Sequence, residues 1–314
     1  DTGSTDETVA ICERYNAIVM QHEWEDDFSK ARNIGIQKAK GDWILWLDAD
    51  EEWYGDATYM KDLLQATTAS VLSVSVVNFH GESEPVDDDQ AFLLYQYRLF
   101  RNKEDILFTN NIHERIVLQE DQKIEYIEDS SIAVRHYGYM KEYVQKKQKS
   151  ERNIRLIIKE IENGDNSPWL RYHLASEYAS LEQYQQAFQC INTAIVGFIE
   201  AEKKPPSILY RLKYGILVET NNIEGAWPAI DKALILYPDY VDLHFYKGYI
   251  LYRLGRYEES IKVFEHCLEL GEYHESHLVF RGTGSFRAWE QIGLCLQALG
   301  DESGATEAFN NAKK

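Results

Sequence analysis

The chain holds 314 residues, enough for two domains that each bury a core. Its 52 acidic residues outnumber 33 basic ones, for a net charge of −19, which argues against nucleic acid or an anionic membrane surface as the main partner. No apolar run reaches the roughly 18 residues that span a bilayer, so no integral membrane segment is expected.

The first residue is Asp1 and no signal-peptide pattern follows it, so the chain is expected to begin inside a longer gene product. A helix is predicted over 4–16, with Ser4 and Glu7 placed as a capping box. "AIVM" (17–20) reads as a strand and 29–40 as a helix. "WILWL" (43–47) is continuously apolar, the pattern of a strand buried on both faces. A helix over 57–68 and strands over 71–79, 93–100 and 131–137 follow; together they imply an α/β domain with a mixed sheet over 1–140. "HGESEPVDDDQ" (80–90) reads as a solvated acidic loop. A polar helix over 141–163 is expected to join the two halves within a linker spanning 141–165. Cys12, Cys190, Cys267 and Cys295 lack C-x-x-C spacing, and three sit in helical apolar patterns. Core thiols in a reduced, cytoplasmic protein are the expectation.

Residues 166–314 repeat. A seven-residue step links Ala187 to Ala194, Ala226 to Ala233, Ser260 to Cys267 and Ala305 to Ala312. Ile191, Ile230, Phe264 and Phe309 stand four after each first position. Ala175, Gly248 and Gly293 lie twelve before it, with Gly215 shifted by one. Small residues where paired helices touch, and large ones where units stack, make the tetratricopeptide pattern, in about four units. Insertions at "AEKKPPS" and "EYHESHLVFRGTGSFR" lengthen two spacings.

The strand at 43–47 runs into Asp48, Asp50, Glu51 and Glu52. Residues i and i+2 of a strand share a side, so Asp48 and Asp50 can converge, and two close carboxylates call for a cation such as Mg²⁺ or Mn²⁺. Taken alone, such a pair far more often marks a strand leaving the core with acids capping the next helix. The neighbouring motifs, "DTGSTDET", "DFSKARN", "DADE", "NIHERI" and "RHYGY", occur in an order that resembles family-2 glycosyltransferases of GT-A fold. More narrowly they resemble the bacterial branch fused to tetratricopeptide repeats, which includes the enzymes that modify glycocin peptides. Two features depart from that pattern: the family's first strand and helix are missing, and "FTNN" before "HE" lacks the usual glycine.

The resemblance implies a role for each matching residue. Asp1 would contact the uracil base; Arg32 and Asn33 would lie near the nucleotide, Arg32 alternatively forming a structural ion pair. Asp48 would sit near ribose and metal, and Asp50 would ligate the metal. Glu114 would be the catalytic base, or else pair with Arg115 or Arg98 on a strand surface. His136 would be a third metal ligand or an ordinary strand-end histidine, and His113 a packed one. The implied function is an inverting, metal-dependent transfer of sugar from a nucleotide donor, UDP-linked, to a peptide, protein or glycan acceptor. The alternative is a repeat-mediated adaptor carrying a non-catalytic nucleotide fold. The repeats would read an acceptor or support a homodimer.

Overall fold

The computed structural model describes residues 1–81, 85–103, 106–112, 114–120, 122–129, 131–140 and 146–313, without the side chains of 146–148. Residues 82–84 of the acidic loop, His113, and 141–145 of the joining helix lie outside these. The chain forms two compact units, Asp1–Ser75 with Gln96–Val134, and Val76–Tyr95 with Arg135–Lys314.

The first unit contains α1 (Thr8–Arg14), α2 (Phe28–Lys38), β1 (Trp43–Leu45), β2 (Glu51–Tyr54) and α3 (Ala57–Ala66). The short strands β5 (Phe108–Thr109), β6 (Arg115–Ile116) and β7 (Ile124–Tyr126) follow. Three strands belong to both units: β3 (Val71–Gly81), β4 (Ala91–Arg101) and β8 (Ala133–Met140). The sheet order is β1-β4-β3-β8-β2, with β7 added to β3; β5 and β6 pair separately. The sheet is mixed, because β1 runs antiparallel to β4 while β7 runs parallel to β3.

Alternation along the strands divides the first unit's core into two layers. Leu72, Val74 and Leu99 pack with Met60 of α3, whereas Val71 and Phe100 pack with Ile36 of α2. Each of these helices starts at an aspartate. Asp27 accepts the Lys30 amide at 2.9 Å and Asp56 the Tyr59 amide at 2.7 Å, satisfying donors that a first turn leaves unpaired.

Three local expectations need correction. The Ser4–Glu7 capping box does not form; the Ser4 amide and hydroxyl both donate to the Asp1 carboxylate, and α1 starts later, at Thr8. Residues 17–20 are not a strand: the Ala17 amide turns back to Cys12 O at 3.0 Å, and Asp1 bridges the far end, donating to Met20 O at 2.7 Å and accepting from His22 N at 2.9 Å. Ile18 there is 81% exposed. β1 is an edge strand with Leu45 more than a third exposed, so it is not buried on both faces.

In the second unit α4 (Lys146–Glu162) is more than a connector. Leu156 and Ile157 are buried, and Asn153 donates to Glu177 on α5 (Pro168–Ser180) at 2.7 Å. Helix pairs then follow: α5 with α6 (Tyr184–Glu200), and α7 (Ser207–Glu219) with α8 (Ile223–Ala226) and α9 (Ile230–Leu236). Next come α10 (Val241–Arg253) with α11 (Tyr257–Leu270), and α12 (Phe286–Leu299) with α13 (Glu302–Asn311). Pro228 divides α8 from α9, because proline offers no amide for the helix ladder and crowds the preceding turn. The repeat phase is visible in atoms: a Cβ on Gly248 would stand 2.7 Å from Phe264, and one on Gly293 would stand 2.5 Å from Phe309. The small residue exists to admit the ring. Cys267 and Cys295 are buried in this core, while Cys12 and Cys190 are partly exposed.

The units divide at 75/76, 95/96 and 134/135, not at residue 140. The physical reason is a set of anchors within the second unit. β9 (Val279–Phe280), from the insertion before α12, pairs with Leu93 and Phe92 of β4. Arg281 and Arg287 donate to the carbonyls of Asp88 and Asp89 at 3.1 and 3.0 Å, and the Arg135 guanidinium pairs with the Asp88 carboxylate at 2.9 Å. Residues 85–89 of the acidic loop are exposed as expected, with Asp88 and Asp89 also held by these arginines. Arg211 stacks on Phe92 at 4.2 Å and pairs with the buried Asp242 at 2.7 Å. No helix among the described residues is long and apolar enough to cross a membrane.

Candidate active site

Asp48 and Asp50 do not lie on a strand. β1 ends at Leu45, and a turn closes with the Glu51 amide donating to the Asp48 carbonyl at 3.1 Å before β2 begins. The same-side argument for an extended chain therefore does not apply; the turn itself brings 48–51 together. Glu51 serves that turn. Its Oε2 accepts the Asp48 amide at 2.8 Å, and its two oxygens take the Arg98 fork at 2.5 and 2.9 Å. Both side chains of this Arg98–Glu51 pair are almost wholly buried. Burial lowers the proton affinity of the Arg98 guanidinium, against the pull of Glu51 and Asp48. Glu51 is committed to structure.

Arg32, on α2, joins the remaining acids. Its Nη1 donates to Asp48 Oδ1 and its Nε to Glu114 Oε1, each at 2.6 Å. Burial works against this guanidinium, but the hydrogen bonds and charges of Asp48 and Glu114 outweigh it and hold its pKa above the ordinary value. Trp46 orients both arginines. Arg32 lies 4.6 Å and Arg98 3.8 Å from its ring, and its Nε1 is tied to Tyr97 O at 2.8 Å. The partner of Glu114 is thus neither Arg98 nor Arg115, and no pattern within one element would have named Arg32: it is 82 residues away in sequence.

Asn33, next along α2, spends its amide on Phe108 of β5, accepting its N–H and donating to its carbonyl, both at 2.9 Å. That pairing holds the segment leading to Glu114 against α2. Asp1 engages its own turn through the amides of Gly3 and Ser4 at 3.0 and 3.1 Å. Asp1 and Arg32 nevertheless line one cleft of about 570 Å³, together with Thr2, Thr8 and His22 and with apolar residues such as Val9, Val19, Ile44 and Leu47. A cleft with few polar groups among apolar walls suits a flat heterocycle with a charged tail. His136 belongs to the second unit, where its Nδ1 lies 2.8 Å from Asn78 Oδ1 and its ring meets Tyr139 at 4.9 Å.

Arg32 uses only Oδ1 of Asp48, and carboxylate oxygens such as those of Asp48 and Asp50 are the ligand type that a hard divalent ion prefers.

Comparison with known proteins places both parts of the chain among described families. Residues 1–121 match the model of glycosyl transferase family 2, and residues 241–274 match a tetratricopeptide repeat. A TPR repeat-containing protein of Synechococcus elongatus is 28% identical over 244 residues, 74% of this chain and 57% of that protein. The SPbeta prophage-derived glycosyltransferase SunS of Bacillus subtilis is 25% identical over 257 residues, 80% of this chain and 59% of SunS. The chain thus spans under two thirds of the length of either relative. Among solved structures, the crystal structure of MamA aligns with 54% of this chain and 90% of its own at a TM-score of 0.45 and 18% identity. Residues 1–121 belong to glycosyl transferase family 2, and they are fused to a tetratricopeptide-repeat region.

Proposed function

We propose that this chain carries the core of an inverting glycosyltransferase that moves a sugar from a UDP-linked donor to a peptide, protein or glycan acceptor. The observation that supports it most is the Arg32 bridge, which ties a residue of the D-x-D turn to the candidate base beside an apolar cleft. Asp1 and the cleft walls receive the nucleotide. Asp50 and Asp48 are the residues that would hold Mn²⁺ or Mg²⁺, and the ion would neutralise the diphosphate as it leaves. Glu114 takes the acceptor's proton on Oε2 while Arg32 holds Oε1. The acceptor's oxygen or sulfur attacks the anomeric carbon, and the bond from that carbon to the diphosphate breaks. Asn33 acts through Phe108, keeping the Glu114 segment in register with α2. The repeats hold the acceptor's flanking chain in their groove.

The test is a panel of UDP-sugars offered to the full-length gene product with Mn²⁺, following hydrolysis and transfer. Asp50→Ala is expected to abolish the metal-dependent reaction. Glu114→Gln is expected to lose transfer while calorimetry still registers UDP binding. Unchanged turnover in Glu114→Gln removes that residue from the chemistry, and metal-independent turnover removes the ion.

A further inference from the structure

The insertion between α11 and α12 carries two histidines three apart, His274 and His277. The turn between α9 and α10 carries Asp239. These three residues come from separate places in the repeat region, yet their ligand-capable atoms all lie within 4.8 Å of one another. His274 Nε2 is 2.9 Å from Asp239 Oδ2, and His277 Nε2 is 3.4 Å from Asp239 Oδ1. The two imidazoles stack at 3.8 Å with 16° between their planes, so both Nε2 atoms address one carboxylate.

The surroundings fix the rings. Tyr240 stacks on His277 at 4.3 Å, and Ser207 Oγ lies 2.9 Å from His277 Nδ1. A partner on the far nitrogen is what sets the orientation of a ligating imidazole. We propose that Asp239, His274 and His277 bind a zinc-type transition-metal ion, with water completing the coordination, and that this ion clamps the insertion onto the α9–α10 turn. Two imidazole nitrogens and one carboxylate oxygen suit Zn²⁺ or Co²⁺; Mg²⁺ and Ca²⁺ call for oxygen alone.

The proton count is simple. Without metal the Ser276 amide donates to His274 Nδ1 at 3.1 Å, which places the ring proton on Nε2, facing Asp239. On binding, that proton moves to Nδ1, the Ser276 amide turns to water, and Nε2 presents its lone pair to the ion. The carboxylate exchanges its contacts with two imidazoles for the metal. What the clamp holds is β9, two residues past His277, whose Val279 and Phe280 extend the sheet beside Leu93 and Phe92. The site is separate from the D-x-D turn and does not depend on the proposed transfer activity.

The experiment uses the whole chain, stripped with chelator and titrated with Co²⁺ under visible spectroscopy, then with Zn²⁺ in competition. One ion per chain with a tetrahedral d–d band and no sulfur charge-transfer band is expected, together with a Zn²⁺-dependent rise in Tm. His274→Ala and Asp239→Asn, at the less buried positions, are expected to weaken binding by about tenfold or more, with far-UV circular dichroism unchanged. Asp50→Ala is expected to leave this binding intact. The proposal is overturned by the absence of saturable Co²⁺ or Zn²⁺ binding, by a thiolate band that assigns the ion to cysteine, or by affinities that neither His274→Ala nor Asp239→Asn changes.

Discussion

Replacing Arg32 with Met tests whether the Arg32 bridge carries energy. The Glu114 side chain is only 12% exposed, so its charge-assisted bond falls in the range of about 2 kcal/mol. The Asp48 side chain is 36% exposed, and solvent screening reduces that bond to about 0.5–1 kcal/mol. The cation over Trp46 adds about 0.5 kcal/mol more. Arg32→Met is therefore expected to cost roughly 3 kcal/mol, and Arg32→Lys about half of that, because an ammonium lacks the fork that reaches two carboxylates. Urea unfolding followed by tryptophan fluorescence reads this, since Trp46 lies against the guanidinium. The decisive quantity is the coupling between Arg32→Met and Glu114→Gln in a double-mutant cycle, expected at about 1.5–2 kcal/mol. Additivity within about 0.3 kcal/mol would show that the two residues do not interact and would refute the reasoning.

Gly248→Ala places a methyl 2.7 Å from the fully buried Phe264 ring, and overpacking should outweigh the helix-propensity gain by about 1–2 kcal/mol, seen as a lower Tm. Adding Phe264→Leu should recover part of that loss. Asp242→Asn leaves the Arg211 guanidinium buried without its counter-charge, and weakens a carboxylate that also holds Thr283 and the Phe280 amide. The expected cost is about 3–5 kcal/mol in chemical denaturation. For His244, burial lowers the pKa from the usual 6.5, despite the Pro238 carbonyl at its Nε2. The unfolded chain then binds the proton more readily, so stability present above pH 6.5 is lost as pH falls below it. His244→Asn should flatten that acid limb, and an unchanged slope of stability against pH removes His244 as its source.

Much of the architecture was legible because it is periodic. α2, α3, β3, β4 and β8 follow from apolar spacing, and the repeat phase follows from small and large residues recurring at fixed steps, Gly248 with Phe264 among them. What escaped has a common cause, namely partners distant in the chain. "WILWL" has the composition of a doubly covered strand, yet it is an edge, because cover depends on neighbours and not on the strand's own residues. Residues 17–20 are apolar enough for a strand, but their backbone bonds go to Cys12 and Asp1 and not to a neighbouring strand. Glu51 reads from the sequence as a support or a cap rather than a ligand, but its partner Arg98, 47 residues away, is not legible there. The motif order pointed to Asp48 and Glu114 separately; that one guanidinium holds both is a fact of three dimensions. The acidic loop is exposed over 85–89, as its charge implied, but charge alone does not reveal which carbonyls a distant arginine will seek.

The long strands β3 and β4 each begin in one compact unit and end in the other. The boundary between the units therefore runs through strands, and residue 140, the last of β8, lies inside the second unit. The unit that holds the helical array thus carries strand ends of its own, Val76–Gly81, Ala91–Tyr95 and Arg135–Met140, so a graft of it starts well before its first helix.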